Sequence, residues 1–179
     1  YIDIYDLNKE PATLDELKNL THEVIIKLND IRANLKEDDN GIFMIEDSFR
    51  QLSQQAHIGF ESLGVGKNAI GKHNNVKPIF MSKLMSYTGI TGIYVPYTSE
   101  ANVNIDIPPS ILPATICHEM AHQRGFAKEE EANFIAYLAC INNSDNQFKY
   151  SGYYLAMQYL MSDLYKTNEE VYYTLYSLL

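Results

Sequence analysis

Apolar residues recur at intervals of three and four along most of this chain, and the pattern lapses most clearly between Pro78 and Asn104. Such spacing lines side chains along one stripe of a helix, so the chain must bury helical faces against one another around a short β-prone insertion. Leu14, Leu17, Leu20, Val24, Ile25, Leu28, Ile31 and Leu35 mark a first helix over residues 12–36, and Thr13 with Glu16 can form a capping box at its start. Residues 37–41, Glu-Asp-Asp-Asn-Gly, read as a turn. A second helix is expected from Glu46 to Leu63, closed by Gly64 and Gly66. Beyond Pro108-Pro109 the helical period returns over residues 111–124, 128–142, 150–165 and 168–179, broken by Gly125, an Asn/Ser/Asp turn and Thr167-Asn168.

Between these helices, Pro78-Ile79-Phe80-Met81 and the run Gly92 to Tyr97 are β-branched or aromatic and bounded by turn residues, so both read as strands. Pro96 has no amide proton to donate, which puts the second strand at a sheet edge. The expected fold class is therefore α+β, mostly helical, with a small β-sheet preceding the helix at 111–124. No repeat or linker divides residues 1–179, so one domain is expected, and 179 residues suffice to bury roughly two-thirds of the unfolded surface. Eight of the 14 tyrosines lie in residues 150–179 at helical spacing, as core packing requires.

Charge excludes one class of partner. The net charge is −9 and the 14 basic residues are scattered, so nothing here would follow a nucleic-acid backbone. Cys117 and Cys140 sit within apolar helical patterns and read as buried free thiols. No run of 18 apolar residues and no signal-peptide pattern is present, and a chain opening on Tyr1 reads as a fragment or processed form.

The chemistry is concentrated in Ile116-Cys117-His118-Glu119-Met120-Ala121-His122-Gln123-Arg124-Gly125, which carries H-E-x-x-H within a helical pattern. Residues four apart share a helix face, so both imidazoles can reach one ion. Glu119 is turned by about 100° from His118, which suits a base that takes a proton from metal-held water better than a third close ligand. The apolar flanks mark a buried helix, where two imidazoles require partners.

A catalytic zinc takes three protein ligands and leaves one position open. The following helix offers Glu129, Glu130 and Glu131. Its apolar arc runs through Ala132, Ile135, Ala136 and Ala139, and by 100° steps Glu129 lies about 70° from the centre, Glu131 about 90° on the other side and Glu130 nearly opposite. Glu129 is thus the favoured inward carboxylate. Asn133, one turn later, can orient it or a neighbour by hydrogen bonding.

The run from His118 to Ala127, followed by Glu129-Glu130-Glu131-Ala132-Asn133, resembles the domain-of-unknown-function family 3810, a bacterial family read as zinc peptidases. Pro96-Tyr97-Thr98-Ser99-Glu100-Ala101-Asn102-Val103-Asn104 and Tyr150-Ser151-Gly152-Tyr153 carry the resemblance further, and residues 1–77 share it only loosely. A glutamate four residues before an Asn, after H-E-x-x-H, is also similar to the gluzincin arrangement, which implies Glu129 as third ligand in a zincin-like domain. The seven-residue step from His122 is short for that arrangement and nearer the metzincin length, with Lys128 where a third histidine would stand. The third ligand is therefore Glu129 or a neighbouring glutamate. The resemblance further implies a membrane tether carried by segments outside this sequence.

These features lead to the expectation of a zinc-dependent hydrolase of a peptide or protein substrate, with His118, His122 and Glu129 as metal ligands and Glu119 as catalytic base. A peptide would add to the edge strand at Gly92 to Tyr97, with Tyr97 or Glu100 near the mouth of the cleft and Tyr153 steadying the oxyanion. The alternatives are a metal-binding sensor or interaction domain with a closed coordination shell, and a hydrolase of a non-peptide amide or ester.

Overall fold

The computed structural model describes residues 11–63 and 75–179. Helix α1, Leu14–Arg32, opens with the expected capping box: Thr13 N donates to Glu16 Oε2 at 2.8 Å and Glu16 N to Thr13 Oγ1 at 3.3 Å. The acidic turn after it is closed by Asp38 Oδ1, which accepts from the amides of Asn40 and Ile42 at 2.9 and 2.8 Å. Helix α2, Phe49–Leu63, starts three residues later than expected because Ser48 and Gln51 exchange the same kind of box, Ser48 N donating to Gln51 Oε1 at 2.9 Å. Gly64 and Gly66, its expected terminators, lie outside the described residues.

The sheet has three strands: β1 at Lys77–Pro78, β2 at Gly92–Val95 and β3 at Glu100–Val103, in the order β1-β3-β2. β1 runs parallel to β3 and β2 antiparallel to it, so among the described residues β2 is an edge strand, as Pro96 predicted. Two sequence expectations need correction. The run 78–81 contributes only Pro78 to a strand, because Ser82–Ser86 forms a short helix, α3, and leaves Phe80 wholly exposed. β3 was not anticipated, since Glu100 and Asn102 interrupt its apolar character, yet Ala101 and Val103 alternate inward as a half-buried strand requires.

Four helices complete the chain: α4 at Leu112–Gln123, α5 at Glu129–Ile141, α6 at Asn146–Thr167 and α7 at Glu169–Tyr176. Asp145 caps α6 through Gln147 N at 2.7 Å, which brings its start four residues forward of the expected 150. The architecture is α+β, largely helical with a small mixed sheet before α4, and among the described residues no helix is long and apolar enough to cross a membrane.

Two hydrophobic clusters hold these elements. The first gathers α2, the sheet, α4 and α5 around Leu52, Phe60, Val103, Ile116, Met120 and Phe148. Burying each of these large side chains contributes about 1.5–3 kcal/mol. Helices approach closely here: a Cβ on Gly59 would fall 2.0 Å from the carbonyl oxygen of Ala139, and one on Gly152 2.5 Å from Cys140 Cβ. Cys117 and Cys140 are buried and free in this cluster. The second joins α1, α6 and α7 around Ile25, Leu28, Phe43, Tyr150, Met161 and Leu164, with Tyr153, Tyr154 and Tyr172 packed against it.

Candidate metal centre

α4 crosses the first cluster with Ile116, Cys117, Met120 and Ala121 fully buried, which fixes its rotation and turns His118 and His122 toward α5. Its first turn is anchored by Ser151 of α6, whose Oγ accepts from Ala114 N at 2.9 Å. Its last turn ends in a Schellman motif: Phe126 N reaches Ala121 O at 3.2 Å, Gly125 N reaches His122 O at 3.0 Å, and Gly125 takes φ +92°. Gly125 is needed there because a Cβ strains that left-handed conformation.

This turn also sets the chemistry of His122. It brings the Phe126 carbonyl 2.7 Å from His122 Nδ1. A carbonyl only accepts, so Nδ1 carries the proton and Nε2 keeps its lone pair for a ligand. Tyr94 of β2 stacks on the same ring, with centroids 5.9 Å apart and planes 19° from parallel. His122 Nε2 lies 3.0 Å from His118 Nε2, and the two rings meet edge to face.

Lys128 precedes α5 in extended conformation, and Glu129 is the first residue of that helix. Its carboxylate stands 3.1 Å from His118 Nε2 and 3.5 Å from His122 Nε2. Donors sharing one tetrahedral ion at 2.0–2.1 Å from each would be about 3.3 Å apart. The three groups therefore match the separation a zinc ion needs, and among the described residues they are the one cluster of metal-ligating side chains within such reach. Two imidazoles and one carboxylate also form the donor set typical of catalytic zinc. Glu131 turns instead to Lys128, 3.6 Å away.

Glu119 faces the other way along α4, against the sheet. It is buried, and Gly92 of β2 passes so closely that a Cβ there would fall 2.2 Å from Glu119 Oε1. Among the described residues Glu119 Oε2 has no hydrogen-bond partner. Burial, with the negative charge of Glu129 second, raises its pKa to about 8. For His118, burial and then the neighbouring His122 push the pKa down, so its neutral form is favoured. Neutral imidazoles are the ligating form, and a cation beside Glu119 would draw its proton off again.

The site opens on a cleft of about 260 Å³ bounded by Thr91, Thr115, His118, Glu129, Asn133 and Gln158, among others. Asn133, expected to orient a neighbouring group by hydrogen bonding, reaches the site. It faces His118 and favours that ring's protonated form, while its Nδ2 donates to Tyr159 Oη at 2.8 Å. Tyr97, Glu100 and Tyr153 are not among the residues lining the cleft. Tyr97 is wholly exposed, Glu100 pairs with Lys77, and Tyr153 packs edge to face against Tyr137 with Lys27 Nζ 5.7 Å above its ring.

Gly92, Tyr94 and Phe126 are the contributors that the sequence did not disclose. Tyr94 carried a weak signal, since alternation along Gly92 to Val95 puts it on the same face as Gly92. The Phe126 contribution is a backbone oxygen and had none.

The chain matches the family described as "Protein of unknown function (DUF3810)" over residues 2–179. No curated protein and no solved structure matches it.

Proposed function

The chain belongs to the DUF3810 family, whose function is unknown, and from its own site we propose a zinc-dependent hydrolase of peptide bonds. The observation that carries this reading is the convergence of His118 Nε2, His122 Nε2 and the Glu129 carboxylate beside a cleft, with Glu119 buried on the same helix. His118, His122 and Glu129 would hold the ion. A bound zinc supplies Lewis acidity, polarising the substrate carbonyl and bringing the pKa of water toward 7.

The remaining steps fall to the chain's own groups. Glu119, ionised beside a cation, accepts the proton of the attacking water and returns it to the departing amine. Its placement against Gly92, with one oxygen unpartnered, favours that role over ligation. Among the described residues β2 leaves its outer edge unpaired, and it runs past His122 through Tyr94, so its main chain can hold an extended peptide across the cleft. The open cleft beside an exposed Glu129 supports a free coordination position, which a sensor with a closed shell would lack. A membrane tether on segments outside this sequence belongs to the same reading and depends on the family resemblance alone.

The test is zinc content together with hydrolysis of a mixed peptide library. Glu119→Gln should retain the metal and lose roughly a hundredfold or more in turnover. Absence of zinc after purification and titration would remove the metal centre. Zinc retained without cleavage of any peptide would remove the peptidase.

A further inference from the structure

The cleft continues past the metal ligands. Glu129, Asn133 and Leu155 line it on one side, and the same three residues line a second, larger groove of about 540 Å³ between α1, α5 and α6. A volume of that order is typical of pockets that enclose a small ligand. Its walls are mostly apolar, and three large side chains along it stay in water: Leu20 is 50% exposed, Phe134 40% and Tyr159 54%. Neighbouring exposed apolar residues of this size mark a surface built to be covered. Asn133 ties the two cavities together, facing His118 on one side and donating to Tyr159 Oη on the other.

We propose that this groove is the specificity site of the hydrolase and takes a large apolar side chain, Leu or Phe in kind, of a peptide whose scissile bond lies at the metal centre. The inference rests on the peptidase reading. Continuity selects this occupant: Glu129 belongs to both cavities, so whatever fills the groove lies beside the metal, where a substrate must be. The lining argues against the opposite choice, because walls built from Leu20, Val24, Phe134, Tyr137, Leu155 and Leu160 offer a carboxylate little to replace its lost hydration. The groove therefore selects the residue near the cut, and β2 holds the main chain on the other side.

The experiment uses zinc-loaded Glu119→Gln protein and fluorescent Gly/Ser decapeptides carrying one central Phe or one central Asp, with binding read by anisotropy. The Phe peptide should bind at least tenfold tighter. Leu20→Glu and Phe134→Glu, each at a part-exposed position, should cut that preference at least fivefold and leave zinc content unchanged. Equal binding of the two peptides, or a preference that survives both substitutions, overturns the proposal. Cleavage of the same peptides by wild-type protein separates it from the reading beneath it. Cleavage with no apolar preference removes the groove and keeps the peptidase. Selective binding, lost in the variants and never followed by cleavage, keeps the groove and removes the peptidase.

Discussion

The two hydrophobic clusters are built on opposite packing rules. Around α2, α4 and α5, glycines bring elements close together: a Cβ on Gly59 would meet the Ala139 carbonyl, one on Gly152 of α6 the Cys140 side chain, and one on Gly92 the Glu119 side chain. Around α1, α6 and α7, aromatic rings fill the space, as in the Phe43–Tyr150 pair at 5.1 Å and the Tyr150–Tyr154 pair at 6.1 Å. The Gly59–Ala139 contact is with backbone and leaves nothing that can turn aside, whereas a ring can change rotamer to absorb an error. The candidate site lies in the rigid half. Its two histidines lie on a helix held by that packing, whereas Glu129 opens α5 with its side chain 74% exposed.

That contrast can be tested first at the ligands. His122→Ala should reduce retained zinc from about one ion per chain to background by elemental analysis. Glu129→Ala should follow it, while Glu130→Ala should retain zinc as wild type does. Equal losses in the two glutamate variants would undo the assignment of Glu129.

Next comes the backbone contact itself. Gly59→Ala gains about 1 kcal/mol in helix propensity. Its methyl, 2.0 Å from the Ala139 oxygen, forces the helices apart at a cost of about 3 kcal/mol. A net loss of about 2 kcal/mol lowers Tm by roughly 4–8 °C in a chain of this size, and zinc affinity should fall with it as α5 shifts. Unchanged melting would show that the first cluster yields like the second.

A smaller effect is expected from the buried acid. In metal-free protein the folded-state pKa of Glu119 stands at about 8, above its unfolded value of 4.5, so the folded state binds the extra proton and stability falls as pH rises between those values. His118, depressed from 6.5, acts oppositely up to that pH, which leaves 6.5 to 8 as the window where its opposing effect is spent and that of Glu119 remains. The decline there should be on the order of 1–2 kcal/mol by denaturant titration. It should vanish in Glu119→Gln and in zinc-loaded wild type. A flat profile in metal-free wild type would refute it.

The smallest change belongs to the aromatic half. Tyr165→Ala removes one edge-to-face partner from Tyr172 at a half-exposed position and should cost about 1 kcal/mol, with zinc content untouched. A loss of metal in this variant would mean that the two clusters are not independent.

What could be read from the sequence follows the same division. Helical period and H-E-x-x-H fixed α4 and both histidines, and 100° steps chose Glu129 over its two neighbours, because these depend on spacing within a single helix. Gly92 and the Phe126 carbonyl depend on a strand approaching a helix and on the path of a turn, neither of which leaves a mark in side-chain type. Tyr153 was misplaced for a related reason. It lies on α6 two residues, or about 200° of rotation, from Leu155 in the cleft wall, so it turns toward Tyr137 instead. β3 was lost because two of its four residues are polar and its inward pair, Ala101 and Val103, is too short a run to stand out.

The unequal exposure of the three candidate ligands bears on how fast an ion would come and go. The side chains of His118 and His122 are 16% and 9% exposed, whereas that of Glu129 is 74% exposed. The imidazoles are largely buried among packed neighbours, but the carboxylate can swing into water about its own bonds. Entry and escape would then pass through Glu129. Its rotation would govern the residence time of the metal, while the two histidines would govern which metal is retained. Lengthening it by one methylene is impossible with natural residues, but Glu129→Asp shortens the arm, and chelator-driven release from that variant should be faster even where equilibrium occupancy at saturating zinc stays the same.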